Sequence, residues 1–294
     1  MELGVIIGLN DHLEQKLAQL AELGFSSCQL SCWETARYTD EVAAWVLELL
    51  ARYGIHLSTV WCGWSGPKHW NFTEGPLTLG LVPEQYREVR VQELLAGSDF
   101  ARKLGAEQIA THVGFIPEDP NSELYKGTVE AVRTVAARCR ENGQYFLFET
   151  GQETPVTLLR MISDVGLDNL GLNLDPANLI LYGKANPVDA LGVIGKYVRD
   201  VHAKDGCYPT DGRMLGRETA LGKGQVDFPA LIQGLAALGY DGAVTIEREI
   251  DGEQQIADIC LARQQLLACM ERQPAHKHHN SRNALDKTDG IMLY

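Results

Sequence analysis

Five side chains able to bind a metal or carry a proton stand at the ends of five successive apolar runs. They are His112 in ATHVG, Glu149 in FLFET, Asp175 in LNLDP, His202 in DVHAKD and Glu247 in VTIERE. Each has a plain explanation taken alone. Asp175, followed by Pro176, can cap a helix. Either histidine can be a hydrogen-bonded core residue, and Glu247 can pair with Arg248. For Glu149 the plain explanation is poor. It closes a Tyr-Phe-Leu-Phe run, and a buried carboxylate without a cation is costly. A divalent cation resolves the difficulty. Glu149, Asp175, His202 and Glu247 offer three carboxylates and one imidazole, which favours Mn²⁺, with Mg²⁺, Co²⁺ or Zn²⁺ as alternatives. Asp175 is then a ligand first and a cap second.

Such a set, scattered in sequence, meets only if the fold gathers strand ends. Strand patterns cover residues 3–9, 27–32, 56–62, 108–113, 145–150, 171–175, 198–204 and 243–248. Helical patterns cover 11–23, 40–53, 86–104, 122–142, 154–165, 187–196, 228–238 and 254–272. Glycines at 24, 54, 105, 143, 166 and 239 follow helical segments, where a left-handed C-cap favours them. Eight strand–helix units predict a (β/α)8 TIM barrel, an α/β fold whose strand C-termini share one face. An open doubly wound sheet is the alternative, without a GxGxxG to support it. The barrel is expected to fill residues 1–273. Residues 274–294, polar and aperiodic, are expected to form a disordered tail; its HKHH run is at most a weak metal site. Two long loops, 63–83 and 206–227, interrupt the pattern, and the first is expected on the active face.

Composition narrows the function. The chain has 294 residues, 45% hydrophobic content and a net charge of −13. That charge argues against a nucleic-acid surface, and no apolar run is long enough for a membrane span. Seven cysteines without a CxxC pair, and a start without a leader pattern, suit reduced thiols in the cytoplasm. A homo-oligomer is compatible with an acidic barrel bearing an aromatic loop.

FLFET, LNLDPANL, DVHAKD, LGKGQVDF and VTIERE, in this order, resemble the xylose isomerase-like barrel superfamily over roughly residues 1–272. The resemblance implies a sugar isomerase or epimerase of the ketose 3-epimerase and inosose branch. It makes Glu149, Asp175, His202 and Glu247 the metal ligands, with Glu149 and Glu247 also the acid–base pair. The substrate would be a small ketose, sugar phosphate or ketopolyol reacting through an enediolate. A dehydratase of an inosose or dehydroshikimate-like ketone is the alternative on the same scaffold. An apurinic endonuclease is disfavoured. Its extra histidines are replaced by Asn178 and by Arg217-Glu218-Thr219. A catalytically silent binding barrel is a fourth reading. Substrate contacts are expected from His112, Trp61, Lys204, Arg217 and Asn178, and an aromatic wall from Trp61, Trp64 and Trp70.

Overall fold

The computed structural model describes residues 1–271. The expected tail, and with it the boundary at 273, lies outside the described residues. Among the described residues, ten strands run in chain order: β1 (Glu2–Gly8), β2 (Ser27–Cys32), β3 (His56–Cys62), β4 (Gln108–Thr111), β5 (Tyr145–Glu149), β6 (Leu170–Leu174), β7 (Val198–Ala203), β8 (Asp205–Cys207), β9 (Arg217–Thr219) and β10 (Ala243–Ile246). Eight of them close a parallel barrel in the order β1-β10-β7-β6-β5-β4-β3-β2. The chain is therefore a (β/α)8 TIM barrel, with helices between the strands. All six punctuating glycines have positive φ, from 63° at Gly54 to 78° at Gly239, the backbone state a residue with a Cβ adopts at a cost.

Strand alternation decides what enters the barrel. Phe146, Phe148, Leu172, Leu174, Val201, Ala203, Val244 and Ile246 belong to the large core shared with the helices. Their neighbours Glu149, Asn173, Asp175, His202, Lys204, Thr245 and Glu247 take the opposite face. The interior is consequently polar over much of its depth. Asp200, fully buried, accepts hydrogen bonds from Ser58 Oγ (2.9 Å), Thr59 Oγ1 (2.7 Å), Thr245 Oγ1 (3.2 Å) and its neighbour's amide, Val201 N (2.8 Å). A small apolar layer of Trp61, Ala110 and Leu147 lies apart from the main core.

Both long loops are more structured than the sequence suggests. The first contains a helical turn, Gly75–Thr78, and is pinned by the buried Arg90. Its guanidinium donates to the carbonyls of Ser65, Pro67, Thr78 and Gly80 and stacks 4.1 Å from the Trp64 ring centroid. The second forms the antiparallel hairpin β8–β9. The loops meet at a bridge between Asn71 and Met214.

Asp205 holds the second loop down. Its carboxylate accepts the N–H groups of Gly206, Gly222, Gly224 and Val226 at 2.8–3.1 Å. A Cβ at Gly224 would lie 2.1 Å from Asp205 Oδ1, so this glycine permits the close approach. Beyond it, Asp227 caps the helix Phe228–Ala237 by accepting from Ala230 N, as the LGKGQVDF motif suggests. Asp205→Ala strands several buried donors and is expected to cost about 2–4 kcal/mol in urea denaturation. Asp205→Asn, which retains an acceptor oxygen, should cost less.

Candidate active site

Glu149, Asp175, His202 and Glu247 meet at the C-terminal mouth of the barrel, with their four ligand atoms within 4.8 Å of one another. His202 Nδ1 lies 3.3 Å from Glu149 Oε1, 3.2 Å from Glu247 Oε2 and 3.9 Å from Asp175 Oδ2. Strand position aims all four residues, and Glu149, Asp175 and His202 are also held by side-chain hydrogen bonds. His202 Nε2 lies 2.9 Å from both Gln29 Oε1 and Asn173 Nδ2, which fix the ring so that Nδ1 faces the carboxylates. Asp175 does two jobs with two oxygens. Oδ1 accepts from Asn178 N at 2.8 Å and caps the short helix Pro176–Leu181, the capping role that Asp175-Pro176 allows. Oδ2 faces the cluster.

Three atoms of the cluster, Asp175 Oδ2, His202 Nδ1 and Glu247 Oε2, are buried without a hydrogen-bond partner. Glu247 Oε2 is 3.0 Å from Lys204 Nζ, yet without the alignment of a hydrogen bond. Orphaned acceptors of this kind are costly. Their convergence, and their chemistry of hard oxygens plus one imidazole, fit a divalent cation.

The electrostatics agree. Burial opposes charge on the His202 ring, but Glu247 and Glu149 prevail and raise its pKa well above the usual range. A proton and a metal therefore compete for Nδ1, and metal affinity falls with pH. Burial pushes the Glu149 carboxyl up, while His112 and His202 outweigh it and bring it below the usual range. Glu247 is likewise lowered against its burial, by Lys204 and His202. Asp175 remains raised, because burial exceeds the attraction of Lys204.

The pocket above the cluster has a volume of about 550 Å³. Trp61, His112, Asn178 and Lys204 all line it. Trp61 Nε1 donates to Glu149 Oε2. His112 Nε2 stands 3.4 Å from Glu149 Oε1, and Asn178 Nδ2 donates to the same oxygen at 3.3 Å. Gln152 Nε2 lies 3.2 Å from His112 Nδ1 and orients the ring. Arg217 is not brought to this group. It is exposed, on β9 opposite Cys207, and its neighbour Glu218 lines the pocket instead. Trp64 is buried behind the wall, and Trp70 lines it. Arg248 is an ion-pair residue, 2.9 Å from Glu218 and 2.8 Å from Asp258.

Sequence reasoning missed Trp33, Tyr182, Glu218 and Glu249. Trp33 directly follows Cys32, the end of β2, so the strand-end rule extended to the second strand would have found it. Glu218 depends on the hairpin and has no local signal. A second cavity of about 460 Å³, with Glu2, His56 and Asp241 in its lining, opens at the other end of the barrel. It has no ligating cluster among the described residues.

Glu153, in the loop after β5, is buried with Oε1 unpartnered. Burial pushes its carboxyl up to about 8 from the usual 4.5. The native chain thus keeps a proton that the unfolded chain releases. Stability should fall as pH rises from 4.5 towards 8. Glu153→Gln should flatten this slope and raise stability towards pH 8, as read by urea denaturation at about pH 5 and about pH 8.

The comparisons with known proteins agree with this architecture. The chain belongs to the xylose isomerase-like TIM barrel family, whose sequence profile matches residues 17–268. It is similar to a crystal structure of a xylose isomerase domain protein from Planctomyces limnophilus. That match has 35% identity and a TM-score of 0.86, covering 92% of this chain and 98% of the other. A D-tagatose 3-epimerase-like protein shares the fold at 22% identity and TM-score 0.73, covering 92% and 99%. An uncharacterised protein of Methanocaldococcus jannaschii is 25% identical over 263 residues, covering 85% of this chain and 84% of its own. No helix among the described residues is long and apolar enough to cross a membrane.

Proposed function

We propose that the protein is a divalent-metal-dependent isomerase or epimerase of a small ketose or cyclic ketopolyol, with Glu149 and Glu247 as the acid–base pair. The observation that carries this reading is the convergence of Asp175 Oδ2, His202 Nδ1 and Glu247 Oε2, all buried and unpartnered, beside Glu149 on the pocket floor.

Glu149, Asp175, His202 and Glu247 would hold the cation, with Mn²⁺ favoured by the mixed oxygen–nitrogen set. When bound, it supplies positive charge against the negative charge that develops on the substrate's oxygens. The remaining chemistry belongs to the chain. Glu149 and Glu247 approach from β5 and from the end of β10, three strands apart around the barrel. One takes the proton from the carbon beside the carbonyl. In an epimerisation the other returns a proton to the opposite face; in an isomerisation the proton goes to the adjacent carbon. Trp61 and Asn178 fix the Glu149 carboxylate. His112 and Asn178 offer N–H donors to substrate hydroxyls from the same wall. Lys204, 3.0 Å from Glu247 and 2.8 Å from Glu249, balances the charge of the carboxylates around the substrate site. Trp33, Trp61 and Trp70 give an apolar face for C–H groups.

Incubation of the Mn²⁺-loaded protein with a ketose panel in deuterated buffer, followed by NMR, tests the proposal. Deuterium at the carbon beside the carbonyl, with the oxygen count retained, is expected. Loss of water from the substrate would instead mark a lyase.

A further inference from the structure

The pocket lining is unbalanced in charge. Among the described residues it carries Glu149, Glu218, Glu247 and Glu249 against a single Lys or Arg, Lys204. That lysine is committed: its ammonium lies 2.8 Å from Glu249, 3.0 Å from Glu247 and 3.6 Å from Asp175. The rim acids are locked together, with the Glu249 N–H pointing at both Glu218 oxygens at 3.1 and 3.3 Å. Arg248, which holds Glu218 at 2.9 Å, is shared with Asp258. With Asp175 included, five carboxylates face one lysine and one divalent cation, so the site stays negative when loaded. A phosphate or carboxylate needs an uncommitted Arg or Lys, or free backbone N–H groups. Lys68, 5.0 Å from the Trp33 ring centroid, is exposed and outside the lining.

We propose that Glu249 and Glu218 form an anion-excluding rim, so that the substrate is a polyhydroxylated ketone without a phosphate or carboxylate group. This rests on the isomerase reading above and narrows it. The physical basis is like-charge repulsion at the mouth of a concave site, where field lines are focused; Glu218 is largely buried but Glu249 is more than half exposed, so added salt should weaken the exclusion. The tryptophan wall opposite supplies the contact that an uncharged ring or chain can use.

The test uses the Mn²⁺-loaded full chain with free ketohexoses, a free cyclic ketopolyol and their phosphate esters. Tryptophan fluorescence reads binding, and NMR in deuterated buffer reads turnover. Each ester is expected to bind at least about 100-fold more weakly than its free form, the ratio a few kcal/mol of like-charge repulsion gives. Glu249→Lys should narrow that gap by about tenfold or more, and Glu249→Gln by less. An ester that binds as well as its free form, or a panel in which no free compound binds, overturns the proposal. A gap unchanged in Glu249→Lys removes Glu249 as its cause and overturns the rim. Selective binding of free compounds without turnover contradicts the isomerase reading alone. Turnover of an ester at the rate of its free form contradicts the rim alone.

Discussion

Glu149→Gln and Glu247→Gln are each expected to lower kcat by about 10²–10⁴-fold, the contribution of a positioned acid or base. The amide keeps the shape and one oxygen but cannot take up a proton. At Glu149 the local donors sharpen the expectation. Trp61 Nε1 and Asn178 Nδ2 both point at the native carboxylate. A Gln amide there must place one NH₂ against a donor, so some loss of order accompanies the loss of a base. At Glu247 the carboxylate's pKa is lowered, against burial, by Lys204 and His202. Its neutral replacement leaves Lys204 with less compensation. The discriminating readout is deuterium exchange separated from full conversion. If the two glutamates act on opposite faces, one variant should retain wash-in of solvent deuterium while losing conversion. Equal activity of both variants and the native enzyme would remove the acid–base assignment.

The second large effect concerns stability. Divalent cation at a thousandfold excess over Kd should stabilise the folded chain by about 4 kcal/mol, a rise in Tm of roughly 8 °C for a chain of this size. Asp175→Asn should abolish most of that rise while leaving the metal-free protein as stable as the native one, or more so. Asn can still cap the helix Pro176–Leu181 through its carbonyl oxygen. The oxygen that faces the cluster is unpartnered and fully buried, and burial raises the Asp175 carboxyl pKa. Removing its charge therefore relieves a cost in the metal-free chain and removes a ligand in the loaded one. Thermal melts with and without Mn²⁺ read both. A variant destabilised equally in the two conditions would mean that Asp175 is only a cap.

Much of the fold was legible because its signals are local. Apolar runs of strand length, glycines with positive φ after helices, and a capping Asp227 mark the units without long-range information. The clustering of the candidate residues was legible for a related reason: in this barrel the end of a strand is also the mouth of the pocket. Glu149 betrayed itself as a carboxylate closing a Tyr-Phe-Leu-Phe run, and Asp175 as one closing LNL. Features that depend on loops meeting were not legible. Arg217 looked like a pocket residue by sequence position, yet the β8–β9 hairpin faces it outward and brings Glu218 in. The four amides gathered by Asp205 span residues 206–226, and nothing in DVHAKD distinguishes that aspartate from a surface one. Arg90 reads as one charge among several on the helix Glu84–Lys103; only the folded loop shows that it is buried among carbonyls.

The central claim is that two glutamates, an aspartate and a histidine surround one cation. Anomalous diffraction from crystals of the full chain grown with Mn²⁺ tests it most directly. One strong peak per chain is expected at the barrel mouth, about 2.0–2.4 Å from Glu149, Asp175, His202 Nδ1 and Glu247. A peak bound elsewhere, or none there at saturating Mn²⁺, would contradict it.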